Sequence, residues 1–382
     1  MKRLLSIDFL RGFVVLLMTI DHARYLFSTV QIGAPIGTDL PASYYFVRWV
    51  THFCAPTFAF LAGLSMALRP LSKSGGTDRT LQQMLVKRGL FVILLSIVIS
   101  IPMTTMFSRS EYTLDFGALW AIGGGMVFVA LMMNYKPWII AAVSLALVAG
   151  HHLLEMFDHV DSVLWSFLHV QQNFVLIENY INIRVSYPIL PWLGIVGLGY
   201  VMGHYFFRVG AACENQRKTL LLSLGAGCIL LFALLRYTNW YGDPNAFVAS
   251  ASFMQSLYSF LDVTKYPLSL LFALLTLSFS CFVLAFTDSK FFERPGRIVT
   301  LVSQYGQAAL FYYVLHFFII LFYGYVFSYI FHDGELISSK SNYLGLTFIM
   351  TALVIVTAYP IIRLFTRLRH MHKENYPILA YL

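Results

Sequence analysis

The segment SIDFLRGFVVLLMTIDH, residues 6–22, sets Asp8, Arg11, Asp21 and His22 into an otherwise apolar run. An imidazole is the usual general base near neutral pH, and a guanidinium is a good phosphate ligand. Arg11 and His22 stand eleven residues apart. On a helix that is about 1100°, within about 20° of three full turns, so both share one face roughly 16 Å apart along the axis. Asp8 joins that face one turn below Arg11, whereas Asp21 points about 100° away. Similar residues recur downstream. RWVTHFCAPTFAFLAG places Arg48 and His52 one turn apart on a face. GHHLLEM carries His151 and His152, FYYVLHFF carries His316, and Lys87 and Arg88 are adjacent cations at one helix end. The pattern describes a polarised tunnel, with Arg11, Lys87 and Arg88 at a basic mouth and a histidine-rich chamber at the other end. A donor with a phosphorylated head and a reactive tip about 15–20 Å away would span the two by helical rise. Acyl-coenzyme A has that shape, although the residues indicate the class and do not single out coenzyme A.

The elements that must position these groups are membrane helices. Of 382 residues, 58% are hydrophobic and only 12% charged, and the mean hydropathy is +0.71. Soluble domains carry roughly 25% charged residues, so most of this surface must face lipid. Windows of about 19 residues predict ten spans, near 8–28, 44–68, 85–104, 116–134, 137–155, 187–207, 219–236, 265–286, 299–325 and 343–364. The fold class expected is an all-α integral membrane protein, about ten helices in one bundle. Residues 1–382 read as a single polytopic domain with a cytosolic tail from about 366.

Loop charge supplies the orientation. One alternating set of loops holds most of the Lys and Arg, while the other has only Arg109, Arg184, Arg236, Lys265 and Lys340. The positive-inside rule then puts both termini in the cytoplasm. The net charge of +8 is accordingly a topology signal, and nucleic acid is not an expected partner. The first helix is too interrupted for a signal peptide, and no small-residue cleavage site follows it. Cys54, Cys213, Cys228 and Cys281 form no CxxC; three fall in spans and Cys213 in a loop, which argues against a disulfide framework. The long outer loops 156–186 and 237–264 can cover a cavity mouth or anchor helix ends with Trp165, Tyr180, Trp240 and Tyr241.

Plainer readings stand beside each of these. Arg11 can snorkel to phosphates or pair with Asp8, and His22 can be a hydrogen-bonded packing residue. The same buried Asp8, Arg11 and His22 would also suit the proton relay of a secondary transporter, or a scaffold whose intramembrane charges merely pair. Repeated broken helices would favour a transporter, but PILPWLGIVGLG has no counterpart elsewhere in the chain. No HExxH-like spacing occurs, and no metal is expected.

At RLLSIDFLRGFVVLLMTIDH, THFCAPTFAFLAG, YPILPWLGIVGLGYVMG, TKYPLSLLFALLTL and YGQAALFYYVLHFF the sequence resembles bacterial members of the heparan-α-glucosaminide N-acetyltransferase family, over residues 3 to about 369. Arg11, ten residues, then His22 is also similar to the motif of the wider membrane acyltransferase-3 family, in which the histidine is the proposed catalytic residue and the arginine serves the acyl-CoA. The resemblance implies transfer of an acyl group, acetyl in the first instance, from cytosolic acetyl-CoA or another acyl-CoA to an extracytoplasmic amino sugar or glycan. It implies a bacterial inner-membrane enzyme whose partners are membrane lipid, donor and acceptor, and it leaves a homodimer open. In the lysosomal relative the position matching His22 is asparagine, and the catalytic histidine lies in the following loop. Here that loop, FSTVQIGAPIGTDLPAS, has no histidine, so either His22 or His52 takes the role, His22 being preferred. Arg11, Lys87 and Arg88 would then hold the donor's nucleotide, while Asp21, Arg48 and His316 would line the chamber for the acceptor.

Overall fold

The structure, a computed structural model, describes residues 4–27, 42–69, 79–107, 112–158, 162–178, 180–209, 214–287, 295–331 and 344–372. Cys213 and the histidine-free loop at 28–41 lie outside these. In chain order the first helices are α1 (Leu5–Phe27), α2 (Ala42–Thr51), α3 (Cys54–Ala67), α4 (Arg79–Phe107) and α5 (Ala118–Met132). They are followed by α6 (Pro137–Gly150), α7 (Val163–Leu168), α8 (Ile189–Met202), α9 (Glu214–Thr238) and α10 (Phe253–Leu261). The last four are α11 (Leu270–Thr287), α12 (Arg297–Gln307), α13 (Ala309–Phe331) and α14 (Leu344–His372). Three short strands are β1 (Tyr112–Asp115), β2 (Gln172–Ile177) and β3 (Ile181–Val185).

Among the described residues eight helical segments are long and apolar enough to cross a bilayer, including Ala42–Ala67, Arg79–Pro102, Ala309–Ile330 and Leu344–Arg369. α5 is apolar but shorter, and α1 has the length with more charge. Every span read from the sequence has a helix at its position, and the chain is an all-α integral, multi-pass membrane protein. Three details differ from expectation. The second span, 44–68, is interrupted by a two-residue turn at His52 and Phe53 between α2 and α3. The ninth span, 299–325, is two helices, because the chain leaves helical geometry at Ala308 (φ −121°, ψ 34°). RIVTLVSQYGQ is a short amphipathic helix, and the apolar window runs it together with α13. Helix α14 also runs on to His372 through Arg363, Arg367 and Arg369, since lipid ends at the charges but hydrogen bonding along the helix does not.

The chain forms two compact units. One comprises Ala55–Val248 and Asp262–Phe286, the other Leu4–Cys54, Ala249–Leu261 and Thr287–Leu382. In the first, glycines set helix separations. A Cβ on Gly63 would sit 1.8 Å from Val196 O, and one on Gly199 would sit 1.9 Å from Phe60 O, so the α3 and α8 backbones touch. Small residues permit such contact where dispersion and weak polar contacts must hold helices together without a hydrophobic driving force.

Loops of this unit are folded. β3 pairs in parallel with β1 (Tyr112 opposite Ile181) and antiparallel with β2, giving the order β1-β3-β2. His151 and His152, read as chamber residues, are tied into these loops. His151 Nδ1 lies 3.3 Å from His169 Nε2, and His169 Nδ1 lies 2.7 Å from Asp158. His152 Nε2 accepts from Leu270 N at 3.0 Å and so caps the start of α11.

Arg236 is equally structural. Its buried guanidinium donates to Asn245 O and Asp262 O, and Asp243 beside it accepts from Thr264 N, Thr264 Oγ1 and Ser269 Oγ. Replacing Asp243 with Ala should therefore destabilise by about 3–5 kcal/mol, because it strands a buried cation. Thermal unfolding of the purified protein measures this.

Candidate functional site

In the second unit α1 is the central element, packed by α2, α12, α13 and α14. It lacks proline, and its terminal charges suit the helix dipole, with Asp8 in the first turn and Arg24 in the last. Its tightest neighbour is α12. A Cβ on Gly12 would fall 1.9 Å from Val302 O, and one on Gly306 would fall 1.8 Å from Asp8 O. Backbone contact at this point brings the Arg11 guanidinium, 3.4 Å from Asp8 Oδ1, to 3.4 Å from Gly306 O. Arg369 of α14 reaches the neighbouring carbonyl, Gln307 O, at 3.0 Å. Two guanidiniums thus gather at the C-terminal end of α12, where exposed carbonyls favour cations.

Three turns along the same helix, His22 meets α13. Its Nδ1 lies 2.6 Å from Nε2 of His316, which is fully buried. The His22 ring also packs on Phe317, with centroids 4.5 Å apart, and is edge-on to Tyr313. His316 Nδ1 lies 3.0 Å from Tyr312 O. Thr19, one turn before His22, donates to Val15 O and accepts from the Tyr312 hydroxyl at 2.6 Å. Arg11 and His22 therefore both face α12 and α13, as their spacing predicts, and His22 is joined to His316.

Asp21 faces elsewhere, as its offset on the helix requires. Its Oδ1 accepts from Arg24 Nη2 at 2.7 Å and from Thr51 Oγ1 at 3.2 Å, linking α1 to α2. Arg48 enters this link through its carbonyl, which accepts from Thr51 Oγ1 at 2.8 Å. His52 is not the next helical residue after Arg48's turn but the first of a two-residue turn between α2 and α3. It is buried, and its N–H donates to Arg48 O and Trp49 O at 3.2 Å each.

Lys87 and Arg88 belong to α4 of the other unit, Lys87 exposed and Arg88 half-buried. Near them Arg69 places Nη1 3.3 Å from the Sδ of Met84, one turn before Arg88 on α4. Burial pushes the Arg69 pKa down. Among the described residues no group of three or more His, Cys, Asp or Glu is placed to hold a metal ion.

Arg24, Thr51, Thr19 and Tyr312 were not singled out in the sequence. Thr19 is one turn from His22 and Tyr312 one turn from His316, so following each histidine back along its helix would have found them. Arg24 is only 1% exposed, and its buried Nε has no hydrogen-bond partner among the described residues.

Residues 3–234 match the family described as heparan-alpha-glucosaminide N-acetyltransferase, catalytic. No curated protein matches the chain. The family match takes in Arg11, His22, His52, Lys87 and Arg88, while His316 lies beyond it. It covers more than half of the 382 residues, on a helical membrane scaffold that holds a histidine pair inside its second unit. By that match the chain is a member of the heparan-α-glucosaminide N-acetyltransferase family, a membrane protein of acetyltransferase type.

Proposed function

We propose that the protein moves an acyl group, acetyl in the first instance, from acyl-coenzyme A in the cytoplasm to an amino sugar or other glycan on the far side of the membrane. The observation that carries this reading is the placement of Arg11 and His22 on one face of α1, with His22 hydrogen-bonded to a buried histidine. Helical rise separates the two by roughly 16 Å, which suits a donor bound by its phosphates at Arg11 and reacting at His22. His22 takes a proton from the acceptor as that group attacks the thioester, or carries the acyl group itself. His52 is the second candidate for that role. Asp21 and Arg48, linked through Thr51, orient the acceptor. Lys87 and Arg88 are donor-binding residues by the same charge argument.

The experiment is incubation of the purified protein with acetyl-CoA, following thiol release with and without amino sugars. Acceptor-dependent release is expected. Acetyl-CoA should also raise the melting temperature, less so in Arg11→Gln and in Arg88→Gln. Unchanged melting at millimolar acetyl-CoA, with no thiol release, removes the donor assignment.

The orientation proposed is both termini cytoplasmic, in a bacterial inner membrane. In a background without native cysteines, Val248→Cys should react with an impermeant maleimide in intact cells, and Tyr135→Cys only after the membrane is opened. Both side chains are exposed. The reverse pattern inverts the topology.

A further inference from the structure

The hydrogen bonds around His316 determine which nitrogen of His22 is basic. A carbonyl oxygen only accepts, so the 3.0 Å contact between His316 Nδ1 and Tyr312 O places a proton on that Nδ1. A neutral imidazole has one N–H, which leaves the lone pair of His316 on Nε2. That Nε2 is 2.6 Å from His22 Nδ1, so the proton between them belongs to His22. The neutral His22 ring then carries its own lone pair on Nε2. The bond is well directed. The ring centroids are 4.9 Å apart with planes 18° from parallel, which is the nitrogen separation plus one ring radius at each end, so the imidazoles lie edge to edge. Phe317 against the His22 ring, with planes 20° apart, restrains its rotation.

We propose that His316 is a positioning residue that holds His22 as the Nδ1–H tautomer and so assigns proton transfer to His22 Nε2. This rests on the reading of His22 as the reacting group. In the transfer step the acceptor's O–H or N–H bond breaks, and its electron pair forms the bond to the thioester carbonyl carbon. The proton goes to His22 Nε2, and the resulting positive charge is shared across the bond to His316. When the C–S bond breaks, the sulfur leaves with its electron pair and takes the proton from Nε2, giving a free thiol and a neutral His22. If His22 instead carries the acyl group, Nε2 forms the bond to the carbonyl carbon as the C–S bond breaks and sulfur leaves as thiolate; the acceptor then displaces Nε2, which regains its lone pair, and the acceptor's proton goes to the thiolate. A tautomer with the proton on Nε2 can do neither, as the loss of activity in serine proteases locked in the wrong tautomer illustrates.

The test is ¹⁵N spectroscopy of the full-length protein labelled at histidine, in detergent or nanodiscs, with His22 resonances identified by their loss in His22→Asn. The wild type should show a protonated Nδ1 and an unprotonated Nε2. His316→Leu should let His22 move toward the Nε2–H form that histidine prefers in water, and turnover should fall by about 10²-fold or more. His316→Gln, whose amide oxygen can accept from His22 Nδ1–H, should keep the tautomer and recover part of the rate. A wild-type His22 in the Nε2–H form overturns the proposal, as does a His316→Leu variant with unchanged tautomer and turnover. Should His316→Leu not fold, the wild-type spectrum and the Gln variant decide. If His22→Asn turns over normally while the wild-type tautomer is as expected, the reading of His22 fails and the catalytic use of this bond fails with it. An Nε2–H wild type in which His22→Asn is inactive leaves that reading standing and removes only the role of His316.

Discussion

His22→Asn should lose about 10²–10⁴-fold in acyl transfer, the usual contribution of a general base, while acetyl-CoA binding stays near wild type. Asparagine is chosen because its Nδ2 can stand in for the imidazole Nδ1 and still donate to His316. That avoids leaving the Nε2 of a buried residue unsatisfied, which would cost about 1–3 kcal/mol and confuse chemistry with folding. His52→Ala is the control, since His52 occupies a turn between helices and is tied there by its backbone. If His52→Ala is inactive and His22→Asn keeps most of its rate, the roles are reversed. If both retain it, neither histidine does the chemistry.

Gly306→Ala should be strongly damaging for so conservative a substitution. The new methyl would fall 1.8 Å from Asp8 O and 2.7 Å from Gly12 N, both backbone atoms that cannot rotate away. Overpacking typically costs about 1–3 kcal/mol and sometimes more, and a forced separation of α1 from α12 belongs at or beyond the upper end. Gly227→Ala is the matched control. It lies within α9 with nothing near its added Cβ, so it should be neutral or stabilising by up to about 1 kcal/mol. Melting temperatures of the two variants measure the contrast. Arg11 reaches Gly306 O from the same crossing, so any folded Gly306→Ala protein should also bind acetyl-CoA more weakly.

Much of this arrangement was legible because membrane helices announce themselves by length and apolarity. The helical face shared by Arg11 and His22, and the different direction of Asp21, follow from angle alone. What could not be read was everything fixed by distant pairing. His316 is 294 residues from His22, and no local pattern names it as the partner. The parallel pairing of Tyr112 with Ile181 joins strands of four and five residues, too short to stand out within polar loops. The break at Ala308 was hidden because an amphipathic helix abuts an apolar one. His151 and His152 read as chamber residues with His22, but their hydrogen bonds serve the local loops.

The burial of charge in α1 also bears on how the protein is made. Asp8, Arg11, Asp21 and Arg24 are each unfavourable in lipid, by up to about 2.5–3.5 kcal/mol at mid-membrane. Within α1 Asp8 accepts from Arg11 and Asp21 from Arg24, but the further acceptors of Arg11 and His22 lie on α12 and α13. At about 5–20 residues per second, some 15–60 s of synthesis separate His22 from His316. During that interval α1 lacks its α12 and α13 partners, which favours its staying near the translocon or at the membrane surface. A nascent chain arrested before α12 should therefore leave α1 accessible to aqueous labelling and to quality-control proteases, and release through α13 should protect it.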